Sequence, residues 1–366
     1  GSCFPAGVGD GRGAKKVVRA VIPIAEQLDR ARRELAGDDP LNGRIALIQV
    51  DNALELVCHQ KAADILERDR ANCTLTPEQR ADARGRAFDR KIGFLRDRGH
   101  IPADQVRAIT IFHGYRNQLY HVGLRDDPIV GGLARRYLQL TLALIVPLLG
   151  AERHLRWEPT LTSERAIRLL PELATSRRYS ARVNVAALVA RLAPVDRSDA
   201  PTLPAALRDQ LLSLVDQSEK DFEFISKGRS GSDDPLATLV RIQLEEETLA
   251  KLVQVRRDQD KELKAAGQST KPLDESLLSM ARGHPFLVEL NGRLLPGWKP
   301  RIKTLPFDSW RKRARTLGAK ADDLLALDAF AGLRRDMDYL DEVMSEPVYD
   351  MHGWHQHLED EAMDRR

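Results

Sequence analysis

The chain has 366 residues, of which 42% are hydrophobic and 30% charged, with a formal net charge of +3. That length allows two domains of ordinary size, and the balance suits a soluble helical protein with a sizeable core. No apolar run approaches the roughly 20 residues of a membrane span; the longest, Leu138 to Gly150, is broken by Pro147.

In chain order, residues 1–13 are glycine-rich, with Gly1-Ser2 set aside as an expression scar and no signal peptide read. A first helix is predicted over Ala14–Ala36, striped by Val17, Val18, Val21, Ile24 and Leu28 and bent at Pro23. A turn at Gly37-Asp38-Asp39-Pro40 leads to a long helix, Leu41–Arg70, expected to bury Ile45, Ile48, Leu54, Leu56, Val57, Ile65 and Leu66. Thr76-Pro77-Glu78-Gln79 is a capping box with proline in the first turn, opening a basic helix predicted to run to Arg98. Gly99 and Pro102 separate it from Ala103–Val122, and a leucine-rich helix follows at Ile129–Leu149. Five helices on short turns make a bundle.

Arg156-Trp157-Glu158-Pro159 reads as a boundary. Helices are predicted at Thr162–Ala174, Ala181–Leu192, Ala205–Ser226, Leu236–Ala266 and Asp308–Met344, with a short strand at Phe286–Leu290. The expected fold class is all-α: a bundle at 14–150, a helical sensor or RNA-positioning domain at 160–345, and an acidic, histidine-containing tail at 346–366. Residues 299–320 hold 8 basic residues and 1 acidic one, whereas 321–366 hold 4 basic and 13 acidic. A basic segment invites nucleic acid, and an acidic neighbour either competes with it or pairs with it inside the fold.

The chain carries no nucleotide-binding glycine loop and no nucleophile elbow. Cys3, Cys58 and Cys73 form no CxxC pair, which fits a reducing, cytoplasmic setting. The chemistry concentrates in Ile109–Gly123. Cutting RNA without a metal needs a base for the 2′-hydroxyl, a cation for the phosphate and an acid for the leaving oxygen. Histidine suits proton transfer, and the planar fork of arginine suits phosphate. Asn117 and His121 lie four apart on one helix face. Arg116 and His121 lie five apart, about 140° around the helix, so the pair meets either at a frayed helix end or across a dimer axis.

Arg116-Asn117-Gln118-Leu119-Tyr120-His121, on a helix of a basic bundle, resembles the motif of the HEPN superfamily: Arg, four to six residues, then His, with a polar residue after the Arg. The resemblance covers about residues 14–150. It implies a dimerising helical bundle and metal-independent endoribonuclease activity that leaves a 2′,3′-cyclic phosphate, in toxin–antitoxin, abortive-infection or CRISPR-linked settings. On it, Arg116 holds the scissile phosphate, His121 is general base or acid, and Asn117 orients either of them.

Supporting candidates are Tyr115 and Tyr120 for base stacking and His113 for the cleft wall. Arg107 and His113 satisfy a similar spacing rule. Asp51 and Glu55, four apart, are candidates to orient His121, with ordinary surface charge as the alternative. Lys299, Arg301, Arg311 and Arg313, interleaved with Trp298 and Trp310, are candidate RNA contacts. His352, His355 and His357 with Glu359 form a weaker candidate for a transition metal. The expected partners are RNA, a second copy of the chain and an antitoxin or activator, with no membrane, cofactor or metal. Two alternatives stand beside this reading: a non-catalytic HEPN-like docking module, and a nucleic-acid-binding regulator using 299–320.

Overall fold

The computed structural model of the chain describes residues 21–37, 39–121, 128–157, 163–175, 180–193, 202–228, 234–243, 300–320 and 322–364, with isolated positions between 254 and 267. Among them the protein is all-α, with one two-stranded sheet. It divides into two compact units, residues 1–207 with 320–328, and residues 208–319 with 329–366. Residues 160–207, grouped with the C-terminal region by sequence, thus cluster with the first unit.

In the first unit α1 (Val21–Glu34) and α2 (Pro40–Asn72) are followed by α3 (Pro77–Arg84), α4 (Phe88–Asp97), α5 (Ala103–His121) and α6 (Val130–Leu149). Asp39 caps α2 by accepting from the Leu41 amide at 2.8 Å, and Pro40 occupies its first turn. At its other end Cys73 adopts a left-handed conformation. There the Asp69 carboxylate collects the amides of Thr74 and Leu75 and, at 2.8 Å, the Arg80 guanidinium. The Thr76–Gln79 capping box is present on α3.

The basic helix expected to reach Arg98 is instead two helices. Gly85 leaves helical geometry with ψ 160, and its carbonyl accepts from the Lys91 ammonium at 2.6 Å. A tertiary bond thereby replaces a helical one.

α2 is the axis of this unit and packs against α1, α3, α4, α5 and α6. Ala46, Leu47, Val50, Ala53, Leu54, Val57, Cys58 and Ala62 are among its residues that are 0% exposed, and Ile65 is also buried, while Ile45, Ile48, Leu56 and Leu66 are only half-buried. The single stripe expected from sequence is displaced because neighbours surround α2 on several sides. Gly43 permits a close approach between backbones: a Cβ there would lie 2.9 Å from the backbone nitrogen of Gly131 on α6.

Against the expectation drawn from Pro147, α6 is long and apolar enough to cross a membrane, a test that the core helix of a globular protein also passes; 61% of its most apolar stretch is buried within the protein.

Gly150, with φ +90, turns the chain from α6 into β1 (Glu152–Arg156). Two short helices follow, α7 (Glu164–Leu169) and α8 (Glu172–Thr175), where one was expected. Pro171 stands between them, and the residue before a proline resists helical geometry. β2 (Ser180–Asn184) pairs antiparallel with β1, Leu155 opposite Ala181. The helix expected to begin at Ala181 therefore begins at Val185 (α9, Val185–Leu192), with Asn184 as its cap.

α10 (Leu203–Ser226), α11 (Pro235–Ile242), α12 (Phe307–Leu317) and α13 (Asp323–Asp364) complete the chain. In the second unit Phe222, Phe307, Trp310, Phe330, Met337 and Leu340 are buried. Gln243 ties α11 to the segment before α12 by exchanging two hydrogen bonds with the backbone of Ile302, at 2.9 and 2.8 Å. The expected helix 308–344 is two helices, and the acidic tail is the helical continuation of α13. The expected strand Phe286–Leu290, most of helix 236–266 and the start of the first helix lie outside the described residues.

Candidate active site

Polar residues inside an apolar helix bundle are costly unless they meet partners, and α2 carries several within three turns: Asp51, Asn52, Glu55 and His59. On α5, His113, Arg116 and Asn117 lie three and four positions apart and therefore share a face. Where α5 packs on α2, this face meets Asp51, Asn52 and Glu55.

Asp51 is the hub. Its carboxylate is wholly buried and accepts from the Tyr137 hydroxyl at 2.8 Å. The His113 Nδ1 lies 3.1 and 3.0 Å from its two oxygens, and the Arg116 Nε lies 3.5 Å away. A carboxylate only accepts, so Nδ1 is the protonated ring nitrogen toward it. Glu55, one turn along, brings an oxygen to 3.8 Å from the same Nδ1. The Tyr137 ring stacks on Phe112 with centroids 4.6 Å apart, and Phe88 packs against the His113 ring at 4.9 Å. Imidazole and phenol are thus fixed by apolar contacts as well as hydrogen bonds.

The Arg116 fork is aimed by two neutral amides: Nη1 donates to Asn117 Oδ1 at 2.9 Å and Nη2 donates to Asn52 Oδ1 at 3.2 Å. Neutral acceptors thus orient the two terminal nitrogens, while the Nε side of the guanidinium faces the Asp51 carboxylate.

The cluster shifts the protonation of its members. The hydrogen bond to Asp51 raises His113 above the usual imidazole range, outweighing its burial. Burial, then the nearby Asp51 charge, raises Glu55, and burial followed by Asp51 raises Tyr137 well above a free phenol. One turn further along α2, burial pushes the Cys58 thiol up to about 12. Burial also lowers Lys91, whose ammonium contacts His59 Nδ1.

The ligand atoms of Asp51, Glu55 and His113 lie within 4.8 Å of one another, close enough to share an ion. Asp51 already receives a hydroxyl and an imidazole donor and faces a guanidinium, however, so the lone pairs of the central carboxylate are occupied. We read these residues as proton holders rather than metal ligands.

Of the residues singled out by sequence, the fold brings Arg116, Asn117, His113, Asp51 and Glu55 together. Asp51 and Glu55 meet His113, where the sequence suggested His121. Tyr115 is half-buried on α5. The side chains of Tyr120 and His121, and all of Lys299, lie outside the described residues. In the second unit, Arg301 stacks over the Tyr339 ring at 4.2 Å, and Arg311 is bound by Asp216 and Glu219. Arg313 donates to Asp336 at 2.8 Å. The charges of Arg311 and Arg313 are therefore met locally by acidic groups. His352 and His355 pack on Phe224, and His357 pairs with Glu361 at 3.1 Å. Sequence reading missed Asn52 and Tyr137. The available signal for Asn52 was a second polar residue beside Asp51 in the apolar run Val50–Leu54.

Comparison with protein-family models, with curated proteins and with solved structures finds no match to this chain.

Proposed function

We propose that the chain is a metal-independent endoribonuclease of the HEPN type. It cuts RNA by attack of the 2′-hydroxyl on the neighbouring phosphate, leaving a 2′,3′-cyclic phosphate. Arg116 holds the phosphate, Asn117 keeps the guanidinium in place, and His121 takes the 2′ proton. The first unit works as a homodimer through its helical bundle, in the cytoplasm, in an anti-phage or toxin–antitoxin setting with an antitoxin or activator as restraint.

The observation that carries this reading is the aimed arginine. Arg116 sits between two amide oxygens, one belonging to the residue directly after it, on a helix face that also presents an imidazole held by a carboxylate. Fixed donors of this kind stabilise charge that develops on phosphate in the transition state. The competing docking-module reading draws on the complete burial of Asp51 and its full set of partners, which a purely structural ion cluster also shows. The ion pairs of Arg311 and Arg313 favour a regulator working through 299–320 less.

The test incubates the purified chain with synthetic RNA in EDTA and identifies the new ends. Cyclic phosphate ends that disappear in Arg116→Ala and His121→Ala support the enzyme. Intact RNA, or cleavage that survives either substitution, sinks it.

A further inference from the structure

Sequence spacing directs attention to the histidine after Arg116, but the geometry assembles Arg116 with the histidine before it. His113 and Arg116 are three residues apart on α5 and both reach Asp51. A helix brings positions i and i+3 to one face and turns i+5 about 140° away.

We infer that His113, held by Asp51, is a second proton-transfer residue of this site and protonates the 5′-oxygen leaving group when an RNA phosphodiester lies on Arg116. This rests on the ribonuclease reading above and adds to it the missing acid. In the step, a base takes the proton from the 2′-oxygen, whose electron pair forms the new bond to phosphorus. The bond from phosphorus to the 5′-oxygen breaks, its pair stays on that oxygen, and the proton on His113 Nε2 passes to it. His113 is left neutral and the base charged, and exchange with water restores both. Nothing is oxidised or reduced.

Three features favour the acid role. Nδ1 is committed to Asp51, so the proton left to give is on Nε2, and 15% of the side chain remains accessible. Tyr137 and the buried setting hold Asp51, so the imidazole cannot turn without losing a carboxylate contact. The surrounding charges favour the imidazolium. Asp51 and Glu55 face it from α2 and Asp89 from α4, against Arg116 on its own helix and Lys91 near Glu55. Charges that favour the protonated ring favour the form that can act as an acid.

A substrate whose scissile 5′-oxygen is replaced by sulfur separates this role from a structural one, because a thiolate leaves without protonation. On ordinary RNA, His113→Gln is expected to cut about 10²- to 10⁴-fold more slowly than the unsubstituted protein. On the sulfur substrate most of that loss should vanish, whereas His121→Ala should stay slow on both. Asp51→Asn keeps the imidazole and weakens its hold on the proton, so the alkaline limb of its pH–rate profile should move to lower pH; this arm decides if His113→Gln fails to fold. Full-speed cleavage of ordinary RNA by His113→Gln, equal loss on both substrates, or an unmoved limb in Asp51→Asn overturns the inference while leaving the ribonuclease reading standing. Absence of cleavage by the unsubstituted chain overturns both.

Discussion

His113 and Asp51 are 62 residues apart in sequence, yet their imidazole nitrogen and carboxylate oxygen lie 3.0 Å apart at a point solvent does not reach on the carboxylate side. That contact joins α5 to α2 and makes the protonation of one ring part of the folding free energy.

Its sign follows from the direction of the shift. The folded protein holds the His113 proton more tightly than the unfolded chain, whose imidazole has the ordinary value of 6.5. The contribution is therefore full below about 6.5 and is lost as pH rises through the higher folded value. In urea unfolding across pH 5.5 to 8.5, the stability difference between the unsubstituted protein and His113→Gln should hold constant below about 6.5 and shrink as pH rises above it. Parallel curves for the two proteins would contradict it.

Tyr137→Phe removes only the hydroxyl that donates to Asp51, leaving the ring on Phe112. The buried carboxylate keeps His113 and loses one of its donors, which costs about 1–3 kcal/mol. A lowered urea midpoint with an unchanged denaturant slope is the expected result; an unchanged midpoint would mean that Asp51 finds another donor.

Two glycines that face each other should respond differently to the same substitution. A methyl at Gly43 would press on the Gly131 backbone at 2.9 Å, whereas one at Gly131 meets nothing within 4 Å. Gly43→Ala should lose about 1–3 kcal/mol by forcing α2 and α6 apart. Gly131→Ala should be neutral or gain up to about 1 kcal/mol of helix propensity. Thermal melts of the pair side by side give the comparison, and equal effects would count against a contact at this spot.

Cys58 is buried with its thiol pushed up to about 12, while Cys73 is exposed. In a Cys3→Ser, Cys73→Ser variant the remaining thiol should resist a disulfide reagent at pH 8 in buffer and react promptly in denaturant. Rapid labelling in buffer would place Cys58 at an opening part of the bundle.

What the sequence discloses about this protein is what short range decides. Thr76 and Gln79 specify their capping box three residues apart, and Asp39-Pro40 announces the start of α2, because each needs only its own turn of chain. Ser180–Asn184 behaves oppositely. Ala181 and Arg182 are good helix formers, and only pairing with Glu152–Arg156 makes the segment extended. At the site, Arg116 and Asn117 are readable because they adjoin. The association of His113 with Asp51, Glu55 and Tyr137 is not, since periodicity marks which face of α5 is buried without saying which helix it meets. The same holds for the break at Gly85, whose carbonyl is claimed by Lys91 from the following helix.

The unbroken length of α2 has a consequence for how this site can vary over evolutionary time. Gly43, the buried core residues and the polar series Asp51, Asn52, Glu55 and His59 all belong to one helix of 33 residues, about 50 Å at 1.5 Å per residue. Adding or deleting a single codon between Gly43 and Asp51 would rotate one half against the other by about 100°. That would dislodge the whole polar series or the whole inter-helix seam together. Lineages carrying this arrangement can therefore explore it by replacing side chains, but not by changing spacing. The loops elsewhere in the chain are where length differences should accumulate.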